Sequence, residues 1–236
     1  MTATDRLPVS GRHTTSGAQV RAREVSFSYA DTPALRSAHL AVAPGESLAL
    51  MGPSGSGKST LLHCLAGILA PEAGEVWLGD VRVDELSERH RSRLRLERMG
   101  VVFQHGDLVP ELTLAENVAL PAQLLGRRSA ARTGAMEMLA ALGVDAVAHR
   151  RAGEVSGGQA QRAAVARALA HRPDVVLADE PTGSLDTANG DAVMQALTAQ
   201  VAELGSVLIV VTHDHRVASH LDRHVSMVDG RTTEGA

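Results

Sequence analysis

Of the 23 lysine and arginine side chains in this chain, only Lys58 is a lysine. It stands in Gly52-Pro53-Ser54-Gly55-Ser56-Gly57-Lys58-Ser59-Thr60, which fits the spacing G-x-x-x-x-G-K-[ST]. In that pattern the glycines let backbone N–H groups curl around phosphate oxygens, and the lysine reaches the terminal phosphates as a compact point charge. A planar, forked guanidinium suits that cradle less well. The next residue, Ser59, offers a hydroxyl to Mg²⁺, and the helix that opens here aims its N-terminal amides at the phosphates.

Two carboxylates form the second constellation. Val175-Val176-Leu177-Ala178 is an apolar strand that ends in Asp179-Glu180. Side chains alternate faces along a strand, so the two acids need not share a task. Asp179 is assigned to Mg²⁺ and Glu180 to the water that attacks the γ-phosphate of a nucleoside triphosphate. A third element, Val155-Ser156-Gly157-Gly158-Gln159, lies far from the first loop in sequence. Ser156 is a good N-cap, and the two glycines expose amides at a helix start, a second place for a phosphate to dock. Capping accounts for Ser156 but not for glycines where alanine would favour the helix.

The elements that must hold these groups follow from hydrophobic periodicity. Strands are predicted near Gln19–Ser28, Ser47–Met51, Gly74–Leu78, Gly100–Phe103, Asp174–Ala178 and Ser206–Thr212. Leu61, Leu62, Leu65, Ile68 and Leu69 form a helical stripe that Pro71 should end; further helices cover Met136–Leu142 and Gln159–Ala170. Strands alternating with helices indicate an α/β core around a parallel sheet. Residues 1–18 read as a disordered leader, 19–236 as one nucleotide-binding domain, and about 105–160 as a helical lobe inserted into it.

Composition narrows the function. A net charge of −4 offers no footprint for a nucleic-acid partner, and the run Arg89, Arg91, Arg93, Arg95, Arg98 reads as a solvated helix face. The single cysteine, Cys64, excludes an intrachain disulfide. No stretch approaches the ~18 apolar residues of a membrane-spanning helix. Aromatic residues make up 2% of the chain, so any of them beside a functional loop draws notice.

Taken together and in order, these motifs resemble the ATP-binding subunits of ABC transporters. Gly52–Thr60 is similar to the family's Walker A loop, Gln104 to its Q-loop, Val155–Gln159 to its signature motif and Val175–Glu180 to its Walker B strand. Ser184-Leu185-Asp186 resembles the D-loop, His213 the switch histidine, and Tyr29 the aromatic residue that stacks on adenine. Val155 stands where leucine is usual, and Ala160 where a polar residue is common; neither removes a phosphate-binding group.

The resemblance implies a P-loop NTPase core with a mainly parallel sheet, an antiparallel β subdomain and the helical lobe. It implies an ATPase using ATP and Mg²⁺. Its catalytic groups are Glu180, His213, Gln104 and Lys58, and its metal contacts Ser59, Gln104 and Asp179. Nucleotide contacts are Tyr29, the loop Gly52, Pro53, Ser54, Gly55, Ser56, Gly57, Lys58, Ser59 and Thr60, then Asp186 and, from a head-to-tail sister subunit, Ser156, Gly157, Gly158 and Gln159. Leu112–Pro121 is similar to the subgroup serving lipoprotein-releasing, macrolide-exporting and FtsX-like permeases. The expected partner is a separate membrane permease docked near residues 105–125, which places the chain on the cytoplasmic face of the membrane.

Rival readings share parts of the pattern. An ATPase controlling cell-wall remodelling through a membrane partner would have the same motifs. A P-loop phosphotransferase would use Lys58 and Asp179 but has no use for Val155–Gln159. A DNA-repair relative needs coiled coils for which 236 residues leave no room. His213, Asp214, His215, His220 and His224 could instead form a metal site, although no cysteine joins them.

Overall fold

The computed structural model describes residues 18–104, 108–183 and 185–234. The expectations placed on residues 1–17, on His105 and on Ser184 lie outside them. In chain order the strands are β1 (Val20–Tyr29), β2 (Thr32–Val42), β3 (Ser47–Met51), β4 (Ala73–Leu78), β5 (Val81–Arg82), β6 (Met99–Val102), β7 (Val175–Asp179), β8 (Val207–Thr212), β9 (Arg223–Val228) and β10 (Arg231–Glu234). The α-helices are α1 (Lys58–Leu65), α2 (Glu88–Arg98), α3 (Leu114–Leu124), α4 (Arg128–Ala141), α5 (Gly157–Leu169), α6 (Thr187–Leu204) and α7 (His215–Ala218).

Two sheets result. One is antiparallel, in the order β2-β1-β4-β5; the other runs β10-β9-β3-β8-β7-β6 and is parallel except for the β9–β10 pair. Alternation along the central strands splits the core in two. Val175, Leu177, Val207, Ile209 and Val211 join the cluster beneath α1 and the antiparallel sheet. Val176, Ala178, Leu208 and Val210 face the other way, into the cluster shared with α3, α4, α5 and α6. Strands buried on both faces read as continuous apolar runs, which is why β3, β7 and β8 are visible in the sequence.

Parity also directs chemistry. Asp179 continues the Val175–Leu177 face and therefore points towards α1. On the opposite face, α5 runs against β6 so closely that a Cβ on Gly100 would lie 2.2 Å from the Ala168 carbonyl oxygen. That contact fixes the helix carrying Ser156 to the sheet carrying the carboxylates.

Three features depart from expectation. α1 stops at Leu65, six residues before Pro71, because Gly67 (φ +61°) turns the chain there and Arg95 donates to its carbonyl oxygen at 2.6 Å. The arginines of α2 are not simply solvated. Arg91 and Arg95 pair with Glu88 at 2.8 and 3.0 Å, Arg93 with Glu97, and Arg98 with Asp174. The strands β2, β5, β9 and β10 and the helices α6 and α7 were not foreseen. In β2, Ser37 adopts φ +56° and the register against β1 shifts, which blurs the period-two signal.

Candidate active site

The loop Gly52–Gly57 joins β3 to α1. Gly52 has φ +151° and Gly57 φ +102°; a Cβ on them would come within 2.1 Å of the Met227 oxygen and 2.4 Å of the Ala34 oxygen. Only glycine permits both the dihedrals and the approach. The loop is braced from outside by Gly230, whose N–H donates to the Ser56 oxygen at 3.0 Å. Lys58 Nζ donates across it to the carbonyls of Gly52 (2.9 Å) and Pro53 (2.8 Å).

Two buried polar groups line the loop. The Ser56 hydroxyl is buried with no hydrogen-bond partner among the described residues. Lys58 is only 8% exposed, and burial pulls its pKa below the ordinary lysine value, an effect partly opposed by Glu180 and Asp179. A buried cation and the free amides of the first turn of α1 suit a polyphosphate anion.

Asp179 is likewise 8% exposed. Burial raises its pKa, while a hydrogen bond from Ser59 and the nearby His63 act in the opposite direction. A desolvated carboxylate in contact with a hydroxyl is a hard-oxygen pair that fits Mg²⁺.

Glu180 leaves the strand with φ +46°, a left-handed conformation that costs a non-glycine residue about 1–3 kcal/mol. Its N–H donates to the Val211 oxygen (2.9 Å). The turn brings its side chain to the end of β8, where His213 Nδ1 lies 2.6 Å from Oε1 and the Thr212 hydroxyl 3.4 Å from Oε2. A carboxylate can only accept, so Nδ1 carries the proton. The carboxyl is thus held by the last residue of β8 and the residue that follows it. Thr212 was not among the expected site residues, although a polar residue ending an apolar strand is the same signal that marks Asp179.

Tyr29 is half exposed at the end of β1, edge-on to Phe27 with ring centroids 5.0 Å apart. Its hydroxyl is 3.5 Å from that of Thr60, so the ring stands beside the phosphate loop. Gln104 is exposed two residues beyond β6. The five-residue metal alternative does not assemble: among the described residues no three His, Cys, Asp or Glu side chains gather to hold an ion. His220 pairs instead with Asp191 at 3.4 Å.

The Val155–Gln159 element caps its own helix. Ser156 caps α5, accepting from Gln159 N (3.3 Å) while Gln159 Oε1 accepts from Ser156 N (3.1 Å). The two glycines differ. A Cβ on Gly158 would meet Leu185 Cδ2 at 2.9 Å, so close packing is a reason for glycine there besides the phosphate role expected of it. A Cβ on Gly157 would meet nothing within 4 Å among the described residues. Asp186 caps α6 through Asn189 N at 3.0 Å, and these bonds lower its pKa.

A phosphate loop, a carboxylate pair and a helix-capping glycine element on a mixed sheet define a class, the ATP-binding cassettes. Residues 35–183 match the ABC transporter family model, and the chain belongs to that family. Its activity is that of an ATPase. Over 201 residues it is 45% identical to the lipoprotein-releasing system ATP-binding protein LolD 2 of Caulobacter vibrioides, covering 85% of this chain and 88% of that protein.

The fold is similar to that of the ATP-binding cassette MJ0796, solved as a dimer in a post-hydrolysis state bound to ADP and Pi. The TM-score is 0.84 at 35% identity, over 91% of this chain and 98% of that one. It also resembles cbiO1 of Clostridium perfringens, part of the cbiONQ transporter complex, with TM-score 0.80 at 28% identity over 92% and 87% of the two chains.

Proposed function

We propose that this chain is the motor subunit of a lipoprotein-releasing type of transporter, closing on ATP as a head-to-tail homodimer and driving a separate membrane permease. The observation that carries the reading is the division of groups. Lys58, Ser59, Asp179, Glu180 and His213 converge in one protomer, whereas Ser156 and Gly157 present an open helix start elsewhere. A second protomer gives that helix start an anion, the triphosphate held by its sister.

In the closed dimer, Lys58 and the loop amides cradle the β- and γ-phosphates, and Tyr29 stacks on the base. Glu180 takes the proton side of the attacking water, oriented by His213, while Gln104 contacts the γ-phosphate. Amides of the partner's signature helix then face the charge that develops in the transition state. Ser59, Asp179 and Gln104 would hold Mg²⁺, which when bound neutralises charge on the transferring phosphoryl group.

The likeness to LolD 2 over most of both chains supports the permease class, and none of the helices in the described residues is long and apolar enough to cross a membrane. On this reading the chain sits peripherally on the cytoplasmic face, bound through the permease. The test is phosphate release by Glu180→Gln: ATP still binds, and turnover falls by about two to four orders of magnitude. Wild-type turnover by this variant refutes the role of Glu180. Phosphate transfer to an added small acceptor in place of water would favour a phosphotransferase.

A further inference from the structure

The helix that opens the phosphate loop carries one more polar side chain towards the carboxylates. His63 follows Ser59 by four residues, so both lie on one face of α1. Ser59 donates to Asp179, and the His63 ring lies 6.2 Å from that of Phe103, tilted by 53°. That separation is within the range of an attractive ring pair. The last rung between β6 and β7 is Val102–Ala178, so Phe103, just beyond β6, and Asp179, the last residue of β7, come next, and Gln104 follows Phe103. One helical face therefore touches the ends of two strands, through a hydroxyl at Asp179 and through a ring at Phe103.

We propose that His63 is a positioning residue for Gln104: by holding the Phe103 ring it fixes where β6 ends and the direction in which Gln104 leaves the sheet. The inference rests on the γ-phosphate contact proposed for Gln104. Residue 104 follows the anchored ring by one peptide unit, about 3.8 Å between Cα atoms, so a rotation at Phe103 moves the amide directly. A displacement of about 1 Å is enough to cost roughly 100-fold in rate. The contact also ties the order of the phosphate loop to the entrance of the helical lobe, because α1 begins at Lys58 and the lobe follows Gln104.

The test is a mutant cycle read by steady-state ATP turnover, with ATP affinity measured separately by calorimetry. His63→Leu lowers kcat about 10- to 100-fold with ATP affinity within about twofold of wild type, as expected when only positioning is lost. His63→Phe, which keeps a ring against Phe103, recovers most of the rate. Phe103→Leu gives the same loss with His63 intact, so the conclusion does not depend on the folding of one variant. The double variant His63→Leu with Gln104→Ala is no slower than Gln104→Ala alone.

Wild-type turnover by His63→Leu, losses that multiply in the double variant, or a His63→Phe as slow as His63→Leu would overturn the proposal. Wild-type turnover by Gln104→Ala would instead refute the role given to Gln104, and with it the reason to position that residue.

Discussion

Lys58 shows what a single residue contributes here. Its ammonium is buried, held to two carbonyls and drawn below the normal lysine pKa by desolvation. An anion that replaces those carbonyls restores the preference for the charged form. Lys58→Ala is therefore expected to weaken ATP binding roughly 10- to 100-fold, and an unchanged calorimetric affinity would count against the cradle. Cys64 behaves oppositely. Burial pushes its pKa up to about 12, so the thiolate is scarce at neutral pH. A maleimide should label it in denaturant and not in the native protein; rapid native labelling at pH 7 would contradict the packing of α1.

At this scale the sequence was informative wherever chemistry demands a residue type. Lys58, Asp179 and Glu180 declare themselves by spacing. Thr212 and His63 do not, because their roles depend on which strand ends and rings become neighbours after folding.

Among the elements, α5 is the one whose two ends do different work. Its C-terminal half is pressed to β6 at Gly100, and its N-terminus offers Gly157 to open space. Gly100→Ala should cost about 1–3 kcal/mol or more through overpacking, seen as a lower denaturation midpoint. Gly157→Ala should leave that midpoint unchanged or raise it slightly, since alanine favours a helix by up to about 1 kcal/mol. Its ATP turnover should nonetheless fall about 10-fold or more, because the added methyl intrudes where the partner's phosphates are expected. A Gly157→Ala variant with normal turnover would show that this helix start faces nothing that matters to hydrolysis.

Legibility differed between elements for physical reasons. The doubly buried strands β3, β7 and β8 are apolar throughout and stand out. α6 carries the stripe Val193, Leu197, Val201 between the cap Asp186 and Gly205, a helical signal overshadowed by the chemical reading of Asp186. For β2, the bulge at Ser37 breaks the alternation. The extent of α1 was overestimated because Ile68 and Leu69 continue the stripe although Gly67 has already turned the chain.

For the whole molecule the proposed reading means that one protomer holds only part of its active site. The nucleotide loop and carboxylates lie at the C-terminal ends of parallel strands, where such sheets bind ligands, and the proposal assigns the start of α5 to the nucleotide of a second copy. No rearrangement within the chain is needed if a second copy supplies that surface, and hydrolysis then provides the release that moves a permease. The mass of Glu180→Gln in solution, measured by light scattering with and without ATP, tests this directly. The account predicts a shift with ATP from the 24.7 kDa protomer to twice that mass, abolished by Lys58→Ala. A Glu180→Gln protein that binds ATP and remains a monomer at every concentration reached would contradict it.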